Sequence, residues 1–346
     1  MPRYLFETSK IFFPVELCRL YWESPIEKDM FGNLQTPCDD FMAVVDMERK
    51  YVFSTVTKDY RLILNKDASD LGFDLFTHLF HLSDNRLCYA TRYCTTLKRS
   101  EFEIDIVRDF DVKLPFANDG WRPMVKVVNS YNKHRKLSFN IGYCRVNKEG
   151  LSKGAFLIPG LSVELNSAHD EPIRMVRRHM FKLLEENPNM EMLNIEKQFQ
   201  EKMQRLKELK VTEKGMLPLF CKIYDITYKK DGSPTLHKNV YEALRIASII
   251  IKENVIIRND QADAYTFFYA MMDYATNCEK YASRAQTITS QLRLGGWLND
   301  FIDAASKPEF DFNNYVGKDA LRTAQWYWDM YERMEGSKKQ GDFYQR

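Results

Sequence analysis

Residues 127–145, VVNSYNKHRKLSFNIGYCR, read as a strand, a short polar turn and a second strand. Leu137, Phe139, Ile141 and Tyr143 recur at every second position, the period of a strand that turns one face to a core. Asn132 and Lys133 stand where a turn is expected. The spacing therefore predicts one antiparallel hairpin over residues 124–144, with its turn at 132–136. Its tip carries Lys133, His134, Arg135 and Lys136 between apolar and aromatic flanks, and holds no recognisable catalytic motif.

The same strand language extends towards the N-terminus. YVFSTVTKDYRLILN (51–65) gives two short β-prone runs parted by Lys58 and Asp59, and ends at Asn65, a suitable N-cap for the helix KDASDLGFDLFTHLFHL. In that helix Leu71, Leu75, Phe76, Leu79 and Phe80 make one apolar face. RLCYATRYCTT and EFEIDIV follow, the second alternating Phe102, Ile104 and Ile106 with Glu101, Glu103 and Asp105, the pattern of a half-buried antiparallel strand. AFLIPG closes this half near Pro159 and Gly160.

Helical periodicity takes over from about residue 171, in EPIRMVRRHMFKLLEEN, NIEKQFQEKMQRLKELK, KNVYEALRIASIIIKEN, DQADAYTFFYAMMDYATNCEKY and SRAQTITSQLRLGGWLNDFIDAA. Gly295 and Gly296 in the last of these read as a helix stop and a new start. One further helix is expected at KDALRTAQWYWDMYERM. The expected fold class is α+β: an antiparallel β-rich N-terminal half with one early helix, followed by a helical C-terminal half. Residues 1–170 form the α+β core with the basic hairpin, 171–305 a helical region, and 306–346 a C-terminal helix and polar tail.

At 346 residues and 45% hydrophobic content the chain can fill a sizeable core. Fifty basic side chains against 48 acidic ones leave a net charge of +2, so any attraction to nucleic acid has to come from a local patch. Seven scattered cysteines without a CxxC pair suit reduced thiols. The start, MPRYLFETSKIFF, resembles no signal peptide, and no apolar run is long enough for a bilayer, so a cytoplasmic protein without membrane association is expected.

Three stretches also carry a likeness. YVFSTVTKDYRLILNKDASDLGFDLF, WRPMVKVVNSYNKHRKLSFNIGYCR and AYTFFYAMMDYATNCEKYASRAQTITSQLRLGGWL resemble, in the same order, the recurring blocks of the phage/plasmid-like family filed as domain of unknown function 932. The likeness spans roughly residues 40 to 300. CRVNKEGLSKGAFLIP departs from the family pattern, being a looser and longer version of the loop after the second hairpin strand. The resemblance implies a mobile-element protein. By fold analogy it suggests a relation to phage single-strand annealing proteins, which pair complementary DNA strands on basic grooves of oligomeric rings.

Charge asymmetry supplies the strongest functional signal. Between residues 122 and 153 stand Arg122, Lys126, Lys133, Arg135, Lys136, Arg145, Lys148 and Lys153 against the single acid Glu149. Such cations suit successive phosphates, and Tyr131 and Tyr143 would offer stacking surfaces to unpaired bases. Arg174, Arg177 and Arg178 sit at helical spacing and would form a second wall. The plainer alternative is a solvated turn balanced by acids elsewhere.

Two acidic rows, Glu101/Glu103/Asp105 and Asp46/Glu48 with Lys50 in DMERK, have oxygens suited to magnesium in the manner of a divalent-metal nuclease, a third option; neither has a spaced partner acid, so a polar strand face and a charged turn are expected. His78 and His81 stand three apart without a further ligand, and Cys144 reads as a packed thiol. No catalytic residue, cofactor or metal is expected. The expected function is single-stranded nucleic-acid binding by a homo-oligomer, in annealing or replication. The alternative is an interaction protein that sequesters a host defence factor through aromatic helical surface such as AYTFFYAMMDY and WYWDMY.

Overall fold

The computed structural model describes residues 10–23, 35–80, 87–96, 98–117, 120–165, 172–186, 192–257, 262–277 and 284–343. The chain divides into two compact units, Met1–Lys113 with Asn118–Ser152 and Gly160–Glu196, and Leu114–Ala117 with Lys153–Pro159 and Lys197–Arg346. The division therefore falls near residue 196 rather than 170, and two short pieces of the β-rich half are counted with the helices. Residues 306–346 lie within the second unit and do not stand apart.

In the first unit, β1 (Val15–Glu23), β2 (Gln35–Asp46) and β3 (Tyr51–Thr57) form an antiparallel sheet in that order. A second sheet has the order of the chain: β4 (Cys88–Thr95), β5 (Glu101–Arg108), β6 (Gly120–Ser130), β7 (Leu137–Val146) and β8 (Ser152–Leu165). The hairpin β6–β7 is antiparallel, with Val125 opposite Ile141 and Val127 opposite Phe139, and its turn is at residues 131–136, as its sequence indicates. Between the sheets the early helix α1 (Asn65–Leu79) buries Leu71, Leu75, Phe76 and Leu79. It packs on β5 and β6 so closely that a β-carbon at Gly72 would overlap Val127 Cγ2 and stand 2.9 Å from Ile106 Cδ1. The last element of this unit is α2 (Ile173–Glu185), which packs on α1.

Two local expectations change here. Helix α1 begins at Asn65, with Leu64 as its N-cap. The Leu64 N–H donates to Asp67 Oδ2 at 3.3 Å, so Asn65 is released from capping. The second run of YVFSTVTKDYRLILN forms no strand. Leu62 and Leu64 instead pack against a cluster of Phe13, Val15, Val44, Val56 and Tyr131, so apolar burial holds this segment extended without a ladder.

The second unit is helical: α3 (Met192–Glu208), α4 (Glu213–Tyr224), α5 (Pro234–Ile257), α6 (Ala264–Asn277), α7 (Arg284–Ala305), α8 (Phe312–Val316) and α9 (Lys318–Phe343). Helix α4 has no counterpart in the periodicity analysis, since Gly215 and Pro218 interrupt its pattern. Thr212 nonetheless caps it, accepting the Gly215 N–H at 3.2 Å, and Met216, Leu217, Leu219 and Phe220 are buried. Helix α7 runs unbroken through Gly295 and Gly296, contrary to the expected stop. A β-carbon at Gly295 would overlap the Leu157 carbonyl oxygen, so this glycine serves a close approach of backbone to helix. No helix among the described residues is long and apolar enough to cross a membrane.

Candidate nucleic-acid interface

Three turns of the first unit are pinned to one another. The β2–β3 turn is shaped by Asp46, whose Oδ1 accepts the N–H groups of Glu48 and Arg49, each at 3.0 Å. In the β4–β5 turn the Arg99 N–H donates to the Thr96 carbonyl at 2.8 Å, and the Arg99 guanidinium reaches Glu48 at 2.6 Å and Asp46 at 3.9 Å. That links the first turn to the second. In the β6–β7 turn Tyr131 N–H donates to the Ser100 carbonyl at 2.8 Å, and Asn132 Nδ2 to Ser100 Oγ at 3.1 Å, which links the third turn to the second. Ser54 Oγ on β3 donates to the Tyr131 carbonyl at 2.7 Å and closes the set.

Each turn holds one basic residue in the left-handed region: Lys50 (φ 55°), Arg99 (φ 59°) and Lys133 (φ 61°). That conformation costs an L-residue about 1–2 kcal/mol, and glycine is the usual occupant. Lys50, Lys98 and Lys133 are exposed, and none forms an ion pair among the described residues. Lys98 Nζ lies 5.9 Å from the centroid of the exposed Tyr51 ring. The two hairpin cations beside them are partly engaged: Arg135 is 3.6 Å from Glu101, and Lys136 is 4.0 Å from Glu164.

The sequence-derived site is thereby divided. Lys133 and Lys136 are exposed and Arg135 is half-buried, all on the tip. Lys126 is 1% exposed and cannot meet a phosphate. Its ammonium is bonded to Asp105 and lies 3.8 Å from Glu103, and the Asp105↔Lys126 register sets the pair across neighbouring strands. The same pairing explains why Glu103 and Asp105 of the acidic row are buried where a solvated face is expected: an isolated buried charge is costly, a compensated one much less so. Arg145, at 3% exposure, is likewise enclosed.

Neither tyrosine of the sequence-derived site can stack on a base, since Tyr131 is 2% and Tyr143 0% exposed. Burial pushes both hydroxyls well above the usual tyrosine range. Tyr131 is structural: its hydroxyl accepts the Asn65 N–H at 2.8 Å, while Asn65 Nδ2 donates to the Ile11 carbonyl and Asn65 Oδ1 accepts from Asn129. Arg174, Arg177 and Arg178 are exposed on α2, with Arg177 3.3 Å from Asp74. Asp74 stands nine residues beyond Asn65, about 13 Å along the helix axis at 1.5 Å per residue, so this arginine set does not merge with the turns.

The remaining candidates are accounted for structurally. Asp46 and Glu48 are neutralised by Arg99, and among the described residues no group of three or more His, Cys, Asp or Glu is placed to hold a metal ion. His78 packs against Phe181 at 4.8 Å, and His81 lies outside the described residues. Cys144 is fully buried and burial raises its thiol pKa, while the same cause pushes Cys221 up to about 12, so neither is a ready nucleophile. On α6, Tyr265, Phe267, Phe268, Met271 and Met272 are fully buried, which makes AYTFFYAMMDY core and removes it as a docking surface. Sequence reasoning missed Tyr51 and Lys98, and took Lys50 only with the acids of DMERK; the signal available was an aromatic directly after a basic turn, MERKY. No family model, curated protein or solved structure matches the chain in these comparisons.

Proposed function

We propose that the protein binds nucleic acid, with the three joined turns as the phosphate-binding end of its first unit. The observation that carries this reading is the set of exposed lysines Lys50, Lys98 and Lys133, held on turns that are hydrogen-bonded together and without an acidic partner among the described residues. Hydrogen bonds and an ion pair between the turns relate the charges to one another, and left-handed conformations at Lys50 and Lys133 carry a cost that a purely solvated loop has no reason to bear. Lys136 and Arg135 extend the surface along the hairpin. The arginines of α2 form a separate basic face. The role we propose, in annealing or replication, rests further on the resemblance of the three quoted sequence stretches to phage and plasmid proteins.

Replacing Lys50, Lys98 and Lys133 together by alanine is the direct test, read by fluorescence anisotropy of a labelled oligonucleotide across a salt series. Each lost phosphate contact lowers the log–log salt slope by about 0.7 for a single strand, so the triple variant should lose about 2. Absence of salt-sensitive affinity in the wild type would overturn the reading. Self-association belongs to the same proposal: Ile249, Ile256 and Ile257 on α5 and Tyr331 and Met334 on α9 are exposed apolar side chains in the helical unit. Sedimentation showing only monomer at about 10–50 µM, where weak association is detectable, would remove it.

A further inference from the structure

We infer that Tyr51 is a stacking platform for an unpaired base, so that the basic turns select single-stranded over duplex nucleic acid. The inference rests on the function proposed above and gives that function its substrate class.

Tyr51 follows Lys50 directly, at the point where the β2–β3 turn becomes strand, and its ring is 41% exposed. It is not a loose surface ring. Its centroid stands 5.6 Å from Phe53 at an interplanar angle of 72°, and Phe53 in turn stacks on Tyr131 at 5.4 Å and 26°. Phe13 closes the inner end, 6.0 Å from Tyr131 and 6.1 Å from Phe53. A line of aromatic rings therefore runs from solvent into the apolar cluster of the first unit, and its inner member is fixed through the Tyr131 hydroxyl to Asn65. A bulge contributes to this arrangement. The ladder passes from Val45 opposite Val52 to Val44 opposite Ser54, which leaves Phe53 outside the pairing. Bulges of this kind re-aim a side chain.

A ring held in this way loses little conformational freedom on stacking, which is the condition for a productive platform. The chemistry around it fits a nucleotide. Lys98 Nζ lies over the ring at 5.9 Å, near the outer limit of a cation–π contact, on a long exposed stem. A base placed on that face takes the position of the ammonium, and the ammonium is then free to meet the adjoining phosphate. Lys50 and Lys133 supply the neighbouring charges. In the interior of a duplex both faces of a base are already covered by neighbours, so away from the ends the ring finds a surface only on a single strand.

The experiment compares wild type with Tyr51→Leu, Tyr51→Trp and the Lys50/Lys98/Lys133→Ala triple variant. Three probes are used: an oligothymidine bearing one 2-aminopurine, a duplex of the same length, and heparin, a polyanion without bases. Expected are a loss of about tenfold in single-strand affinity for Tyr51→Leu, little change with duplex or heparin, and retention by Tyr51→Trp. The 2-aminopurine fluorescence should be quenched on binding by wild type and Tyr51→Trp, and not by Tyr51→Leu. An unchanged thermal unfolding curve for Tyr51→Leu confirms that the loss is local. If the triple variant loses affinity while Tyr51→Leu does not, the stacking inference is overturned and phosphate binding stands; if neither variant changes single-strand binding, both fall.

Discussion

Lys126 and Lys133 stand on one hairpin, seven positions apart, and meet opposite environments. In the body of the hairpin, Lys126 lies between Val125 and Val127, enclosed and neutralised by Asp105 and Glu103 on the neighbouring strand. At the tip, Lys133 is exposed, held in a left-handed turn and unpaired among the described residues. The two lysines are chemically identical, and one is paired inside the sheet while the other stands exposed in the turn, where the proposed phosphate contact would be made. The lesson is that a local count of positive charge in a β-rich segment mixes two populations. Only the ladder register separates them.

Three substitutions probe that separation. The largest effect is expected from Lys126→Ala, which strands the buried carboxylates of Asp105 and Glu103 and should cost about 3–5 kcal/mol in urea unfolding. A loss below about 1 kcal/mol would mean that water reaches the pair and that body and tip differ less than their burial indicates. An intermediate effect is expected from Tyr131→Phe, where the two regions meet. The buried Asn65 N–H loses its acceptor, and urea unfolding should become easier by about 1–2 kcal/mol. The smallest stability effect belongs to the tip. Lys133→Gly relieves the left-handed strain and should stabilise the fold by about 0.5–1 kcal/mol, while the salt slope of single-strand binding falls by about 0.7. A tip variant that is both less stable and unchanged in binding would reverse the assignment of Lys133.

The sequence made the elements more legible than their surroundings. Alternation in Phe102, Ile104 and Ile106 and in Leu137, Phe139 and Ile141 marks two strands, β5 and β7, because period two is a property of the chain itself. Whether the opposite face is wet depends on residues far along the chain, and periodicity alone places Glu103 and Asp105 on a polar face. A lysine set between valines in VKV (125–127), with two alternating acids one strand away, is the trace of the buried pair. The convergence of the turns depends on contacts such as Tyr131 N–H to the Ser100 carbonyl and Arg99 to Glu48, which local periodicity does not encode. Proximity to charge alone suggests Tyr131 and Tyr143 as stacking rings, and burial removes both. Tyr51, beside a basic turn at a strand edge, has the exposure that they lack.

The glycine pair of α7 sets a condition on any lineage that shares this packing. At position 295 every side chain larger than hydrogen collides with main-chain atoms of Leu157, so drift at that site is closed unless β8 moves with it. Its neighbour is under no such restriction: a β-carbon at Gly296 would meet only Pro159 Cγ, at the ordinary van der Waals distance of 3.7 Å. Divergent homologues are therefore expected to hold the first glycine and to exchange the second for alanine or another helix former, which favours the helix by up to about 1 kcal/mol. A single invariant glycine in the middle of a long helix, followed by a variable position, would then mark kinship where overall identity has faded.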